Sequence, residues 1–381
     1  MKQLLAYCLS IILCVSFTGC MENYLDLYPE DKITSASFPE NESDIKLLLN
    51  GVYAQLREKE VYNQGLFGFG ITDGATPNAF NWGTDEVFNK LGAGRLSSSD
   101  GGVVTYRWKR CYEIISRANY LLACMDLVDL SEEAKAKYSG ETHFLRGLAY
   151  SVLAETYGGV PIILTNISTE EARSLKRASL EETWQQALDD YEVAITNLGV
   201  DAPEPGRATK GAALGMKMRA YLYQGKYKEV LACVEQIDAL KKYGLFHSYE
   251  GLFDPANENN KEVLFDIQYI EGENSQGSYI DQYCGTGTGS WTRGSRYVPT
   301  DDLVAAYETI DGSPVDPENP YENRDPRLGF TAVLPGSYFL GYRFPNYLYP
   351  GGAFNHAGNR LKHLSTRKYR IQDESKLPPS G

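Results

Sequence analysis

Tyr221-Leu222-Tyr223-Gln224-Gly225-Lys226-Tyr227 is the stretch on which the fold turns. Gln224-Gly225-Lys226-Tyr227 reads as a tight helical hairpin joining residues 209–222 to residues 226–241. Across this segment Leu214, Met218, Tyr221, Tyr227, Val234 and Ile237 take spacings like those of a tetratricopeptide repeat, although that repeat's usual Ala and Pro positions are not all kept. Stacked helix pairs of this kind bury a continuous core and leave their loops free as a binding surface.

The same periodicity returns upstream. Ile45, Leu48, Leu49, Val52 and Leu56 share one helical face, with Ser43 as the expected N-cap. Trp108, Tyr112, Ile115, Leu122 and Met125 form a second stripe. Leu145, Leu148, Ala149, Val152 and Leu153 form a third, which stops at Gly158-Gly159 before Pro161. A capping box, Ser179-x-x-Glu182, opens the fourth, which runs through Trp184, Leu188, Tyr191, Ile195 and Leu198 to Gly199. The expectation is a mainly α fold: tetratricopeptide-like helical pairs over residues 20–242, then a loop-rich second half over residues 243–381 with a few short strands. In that half Gly, Asn, Pro and Tyr dominate; Val263–Tyr269 reads as a strand and Asp301 to Glu308, after Thr300, as a short helix. Long loops in an ordered domain usually carry function, so the site is sought there.

Residues 1–19 read as a leader. Lys2 supplies a positive start, Leu4 to Phe17 is almost wholly apolar, and Phe17-Thr18-Gly19-Cys20 follows. The run is too short for a comfortable membrane anchor, which needs about 20 residues, and suits a secretory h-region. Cys20 after Thr-Gly resembles a bacterial lipobox, with Phe17 where Leu is usual; the alternative is ordinary cleavage with Cys20 incidental. A diacylated Cys20 would tether the mature chain to a membrane surface without spanning it. Cys111, Cys124, Cys233 and Cys284 lie beyond the leader. The first three fall in helical patterns, where buried free thiols are common. On one continuous helix Cys111 and Cys124 would stand about 20 Å apart, too far to bridge.

Composition narrows the chemistry. With 381 residues, 43% hydrophobic and 23% charged, the chain can bury a sizeable core. A net charge of −13 argues against nucleic acid, whose binding needs a basic surface. None of the four histidines (His143, His247, His356, His363) pairs at metal-ligand spacing, which disfavours zinc hydrolases. The 28 tyrosines outnumber 14 phenylalanines and 4 tryptophans, so much aromatic surface is expected to be half exposed.

Acidic pairs Asp189/Asp190, Glu181/Glu182 and Asp301/Asp302 could suggest a glycosidase. Sequence neighbours cannot set the across-cleft separation that reaction needs, and acids at helix starts cap or face water. Gly285-Thr286-Gly287-Thr288-Gly289-Ser290 lacks the third glycine and the strand-to-helix context of a phosphate cradle. Gly225-Lys226 precedes Tyr227, not Ser or Thr, so it is no P-loop; G-x-S-x-G and H-E-x-x-H are absent. The acidic stretch Asp254–Glu262 lacks calcium-loop spacing and reads as a solvated turn. No catalytic residue, metal or cofactor is expected.

The aromatic loops differ. Trp82 lies in the turn-rich Asn78-Ala79-Phe80-Asn81-Trp82-Gly83, and Trp291 follows the Gly-Thr run with Tyr283, Arg293 and Tyr297 nearby. Sugar rings offer flat C–H faces to aromatic planes while Asn, Asp and Arg bond their hydroxyls. Asn81, Trp82, Tyr283, Trp291, Arg293 and Tyr297 are therefore the candidate ligand-binding residues. For any one ring the competing reading is that it pins its own loop to the helices.

Together these segments resemble the SusD/RagB family of Bacteroidetes nutrient-binding outer-membrane lipoproteins. The resemblance begins at Cys20 and Tyr24-Leu25-Asp26-Leu27-Tyr28-Pro29 and continues through Leu49-Asn50-Gly51-Val52-Tyr53 and Glu141–Tyr150. Tyr157-Gly158-Gly159-Val160-Pro161, Gly206–Ala213, Tyr221–Tyr227, Asn257–Glu262 and Asn323-Arg324-Asp325-Pro326-Arg327-Leu328 follow in order. It implies tetratricopeptide-like helices, no catalysis, glycan capture at the cell surface, and a SusC-like TonB-dependent transporter as partner, with a peptide ligand or a purely structural lid as alternatives. Most shared motifs are structural: Arg207-Ala208-Thr209 should open a helix, and the Asn-Arg-Asp-Pro-Arg run should be a turn with internal salt bridges. The family continues beyond the equivalent of Thr366-Arg367-Lys368-Tyr369 into strands and a long helix, whereas this sequence ends at Gly381. That difference implies a truncated C-terminus, with apolar surface exposed on the remaining pairs.

Overall fold

A computed structural model describes residues 38–57, 73–81, 90–97, 99–269, 297–335, 337–339, 342–343 and 365–366. The leader and Cys20 lie outside the described residues. Helix α1 spans Glu42–Tyr53 and runs on into a 3-10 turn, Ala54–Arg57. Its N-cap is Asn41, not the expected Ser43, which lies within the first turn. Asn41 Oδ1 accepts from the backbone N–H groups of Ser43 and Asp44, and Asp44 Oδ2 reaches back to Asn41 N at 3.3 Å. An amide oxygen followed three residues later by a carboxylate makes the reciprocal cap that Ser43 cannot.

Six further helices carry the core framework: α2 (Val103–Cys124), α3 (Glu132–Tyr157), the short α4 (Thr169–Ser174), α5 (Leu180–Asn197), and the pair α6 (Lys210–Tyr223) and α7 (Tyr227–Ala239). Leaving aside α4, each packs on the next, α2 on α3, α3 on α5, α5 on α6 and α6 on α7, while α1 braces α2 and α3. Neighbours joined by short connections run in opposite directions, which gives the stacked pairs foreseen from the Gly225 hairpin. Gly225 there has φ +70°, in the left-handed region a side chain would strain.

Helix α3 is the axis of the stack. From Phe144 to Ala154 it is buried on every side, as a helix enclosed by neighbours must be. It lies tight against α5 at Gly147, where a β-carbon would meet Tyr191 Cε1 at 3.0 Å and Ala187 O at 3.1 Å. The helix ends at Tyr157, with Gly158 at φ +73°, as the Gly-Gly-Val-Pro sequence predicts. Arg177 then covers the exposed end by donating to Tyr157 O and Gly159 O. The capping box Ser179/Glu182 and the Thr209 cap of α6 both form as expected.

The tyrosine expectation holds only in part. Tyr223 and Tyr227 are exposed, but Tyr150 and Tyr191 are fully buried. Burial is tolerated because Tyr150 Oη donates to Ile163 O at 2.9 Å and Tyr191 Oη meets Ser151 Oγ at 2.8 Å. Cys111, Cys124 and Cys233 are buried free thiols, as read from their helices. Val263–Tyr269 is not a strand. Its alternation is real, since Phe265 and Ile267 pack on the helical core, but among the described residues no neighbouring strand pairs with it.

Downstream, β1 (Ala79–Asn81) pairs with β2 (Tyr297–Pro299), and α8 (Asp301–Ala306) follows directly from Thr300. A helical turn, α9 (Arg327–Thr331), leads into β3 (Ala332–Val333), which pairs with β6 (Ser365–Thr366); β4 (Tyr338–Phe339) and β5 (Tyr342–Arg343) form a hairpin. These three two-stranded pairs are all antiparallel.

Candidate functional site

Sequence reading singles out two aromatic loops more than 200 residues apart. The β1–β2 ribbon joins their ends: Ala79 stands opposite Pro299, Phe80 opposite Val298, and Asn81 opposite Tyr297. Chain direction matters here. The chain leaves β1 at Asn81 toward Trp82 and enters β2 at Tyr297 from the Trp291 side, so both aromatic stretches attach at the same end of the ribbon. Two of the six candidate residues, Asn81 and Tyr297, are thus brought face to face in the backbone. Trp82, Tyr283, Trp291 and Arg293 lie outside the described residues.

The opposite end of the ribbon is anchored. Val298 is fully buried, and Thr300 N donates to Asn78 O at 3.1 Å. Thr300 Oγ1 donates to Pro77 O and accepts from Leu303 N, which caps α8. The far end of α8 is held by Arg324, whose guanidinium donates to Val304 O, Tyr307 O and Pro320 O. The Asn323–Leu328 run is therefore a turn with one internal salt bridge, Asp325 with Arg327, while Arg324 binds carbonyls instead of acids. Sequence reasoning missed Thr300 and Arg324 as supports for the site. Their signals were a helix-capping residue beside the Trp291 loop and an arginine within the shared motif.

Two of the three acidic pairs have structural work. Asp190 is buried, bonded by Arg146 and 2.7 Å from His143 Nδ1, whereas its neighbour Asp189 accepts from Gln185 at the surface. Glu182 caps α5. Within the Asp254–Glu262 stretch, Ala256 N donates to Asp254 Oδ1, Asn260 Nδ2 to Asn257 O and Glu262 N to Asn260 Oδ1. Asn257 donates out to Gly251 O and Glu262 accepts from Phe246 N, so the polar groups fold the loop on itself and pin it to residues 246–251. No group of three His, Cys, Asp or Glu side chains is arranged to hold a metal among the described residues.

A concavity of about 270 Å³ lies between the end of α1, the loop before α6 and residues 265–268. Here Arg207 donates to Asn50 Oδ1 at 2.6 Å and lies 5.0 Å from the Tyr53 ring centre. Tyr53 Oη donates to Glu141 at 2.7 Å and accepts from Ala208 N. Burial pushes the Glu141 carboxyl above its usual range and the Tyr53 phenol well above its own. These contacts brace α1 against α3 and against the start of α6, so this network is a structural seam.

Residues 23–222 match the SusD-like family described as starch-binding and associating with the outer membrane, and residues 261–377 match the SusD family proper. The chain belongs to the SusD/RagB family. A SusD-like protein from Formosa agariphila is 26% identical over 78% of this chain and 58% of its own length. One from Bacteroides ovatus is 24% identical over 67% of this chain and 48% of its own length. The chain therefore spans about half the length of these curated SusD relatives. A SusD-like carbohydrate binding protein from Bacteroides fragilis superposes with TM-score 0.75 at 26% identity, covering 88% of this chain and 68% of that one. A laminarin binding SusD-like protein gives TM-score 0.69 at 19% identity, over 87% and 73% of the two chains, a likeness of fold. These matches bear out the mainly α, tetratricopeptide-like architecture. Among the described residues no helix is long and apolar enough to cross a membrane, and the SusD family as described is outer-membrane associated.

Proposed function

We propose that this SusD-family protein captures oligosaccharides at the cell surface and passes them to a SusC-like TonB-dependent transporter, tethered by lipid on Cys20. Asn81, Trp82, Tyr283, Trp291, Arg293 and Tyr297 form the sugar-binding face in this reading. The observation that carries it is the pairing of Asn81 with Tyr297, which starts both aromatic stretches from one end of one ribbon. Aromatic rings there would stack on sugar faces while Asn81 and Arg293 bond hydroxyls. The protein acts by binding in this reading, and Glu182 and Asp190 are occupied in capping and packing.

Affinity electrophoresis through starch and laminarin gels tests the reading. Retardation of the wild-type protein, weakened about tenfold by Trp82→Ala or Trp291→Ala, is expected, a loss of about 1.4 kcal/mol. Unchanged retention of both variants would favour a structural lid. Release of reducing ends without added cofactor would overturn the binding assignment. Co-purification with a SusC-like TonB-dependent transporter tests the partner.

A further inference from the structure

The geometry points to Thr300 as the positioning residue that holds β1 and β2, the strands adjoining the two aromatic stretches, in register. Its hydroxyl has two bonds with separate consequences: it donates to Pro77 O, in the turn leading into β1, and it accepts from Leu303 N, capping α8. Its own N–H extends the ribbon by one more rung, to Asn78 O at 3.1 Å. The ribbon itself is only three residues long on each side, and such a short pairing is marginal by itself. Thr300 sits at the end opposite Asn81 and Tyr297, next to the Ala79–Pro299 pair. It therefore ties the segment bearing Trp82 to the segment bearing Trp291 through one side chain. Arg324 completes the support by fixing the other end of α8 through Val304 O and Tyr307 O.

Side-chain chemistry separates the tie from the cap. Serine can donate and accept and so keeps both. Aspartate is as good an N-cap as threonine or better, but its carboxylate has no proton to give to Pro77 O. Valine keeps the shape and loses both bonds. A merely structural role through the α8 cap predicts that Thr300→Asp behaves as wild type; the loop tie predicts that it behaves as Thr300→Val.

The inference rests on the glycan-binding reading for its affinity arm, so a ligand-free arm is included. In the first, Thr300→Ser should bind the retained glycan within about twofold of wild type. Thr300→Asp and Thr300→Val should each lose about fivefold, the equivalent of one net hydrogen bond. In the second, Asn81→Cys with Tyr297→Cys on a Cys284→Ser background places two thiols at directly opposed positions, within disulfide reach. Disulfide formation under mild oxidation should slow severalfold when Thr300→Asp or Thr300→Val is added, and stay unchanged with Thr300→Ser. If Thr300→Asp cross-links and binds as wild type does, the positioning role is overturned. If no glycan binds at all but the cross-linking order holds, the glycan reading fails and the loop tie stands.

Discussion

Arg146 and Asp190 form a buried ion pair across the α3–α5 contact, with Nη2 2.7 Å from Oδ1 and Nε 3.1 Å from Oδ2. Their side chains are 6% and 1% exposed, so neither charge has water to fall back on. Arg146 Nη1 also donates to Asn119 Oδ1 at 2.8 Å, and Asn119 in turn donates to Ile163 O and Thr165 O. One guanidinium thus links α2, α3, α5 and the strap that follows α3.

Removing one partner leaves the other charge buried and unpaired. Asp190→Ala is expected to cost about 3–5 kcal/mol, read from urea unfolding followed by circular dichroism. Arg146→Met combined with Asp190→Leu should recover part of that loss, because two apolar side chains need no partner while Asn119 Oδ1 and His143 Nδ1 each lose one. A double variant as unstable as Asp190→Ala would place the loss in packing instead of charge.

Two glycines answer substitution differently. In Gly147→Ala the gain in helix propensity, about 1 kcal/mol, meets a β-carbon 3.0 Å from Tyr191 Cε1 and 3.1 Å from Ala187 O and Asp190 Cβ. Overpacking costs about 1–3 kcal/mol, so a net loss is expected, with α3 and α5 pushed apart. Gly225→Ala meets nothing within 4 Å, and its cost of about 1–2 kcal/mol comes from the left-handed φ alone. Gly225→Asn should restore part of that stability, while Gly147→Asn should be worse than Gly147→Ala; thermal melts of the four variants separate the two causes.

The carboxyls of Asp311 and Asp325 are held down at about 2, Asp311 first by the Ser313 hydroxyl and Asp325 first by the Arg327 guanidinium. A depressed carboxyl favours the folded turn above the ordinary value of 3.8 and stops doing so as pH falls through about 2. The 309–327 turn should therefore keep slow amide exchange at pH 4 and lose it toward pH 2. Carboxyl carbon titration by NMR should give Asp325 a midpoint near 2, and Arg327→Gln should move it back toward 3.8. An unshifted Asp325 in the wild-type protein would contradict the pairing.

Burial pushes the Cys111 thiol up to about 12, and Cys124 and Cys233 are raised for the same reason. Since the thiolate is the reactive species, iodoacetamide at pH 8 should leave these three unmodified in the native protein and label them within minutes in guanidinium. Peptide mapping by mass spectrometry reads each site separately.

Much of the helical half is legible in the sequence because its determinants are local. Ser179 with Glu182, Gly158 after Tyr157, and Gly225 at the hairpin act within one turn of where they stand, and the apolar stripes repeat at the helix's own period. The N-terminal cap of α1 was misplaced by two residues because Asn41 and Ser43 are both capping residues, and only the reach of Asp44 decides between them. Val263–Tyr269 shows the limit of periodicity: alternation reports which side chains face the core, here Phe265 and Ile267, but a strand also needs a partner.

What the sequence by itself determined is the helical stack, the order of its pairs, the aromatic character of two loops and the family motifs. The register of Asn81 against Tyr297 belonged to the tertiary structure alone. Helix signals repeat within four residues, whereas a three-residue ribbon carries too little pattern to name a partner strand more than 200 positions away. That pairing is decided by the tertiary contacts that bury Val298 at its centre, and by Thr300, which reaches across to Pro77 to hold the two backbones together.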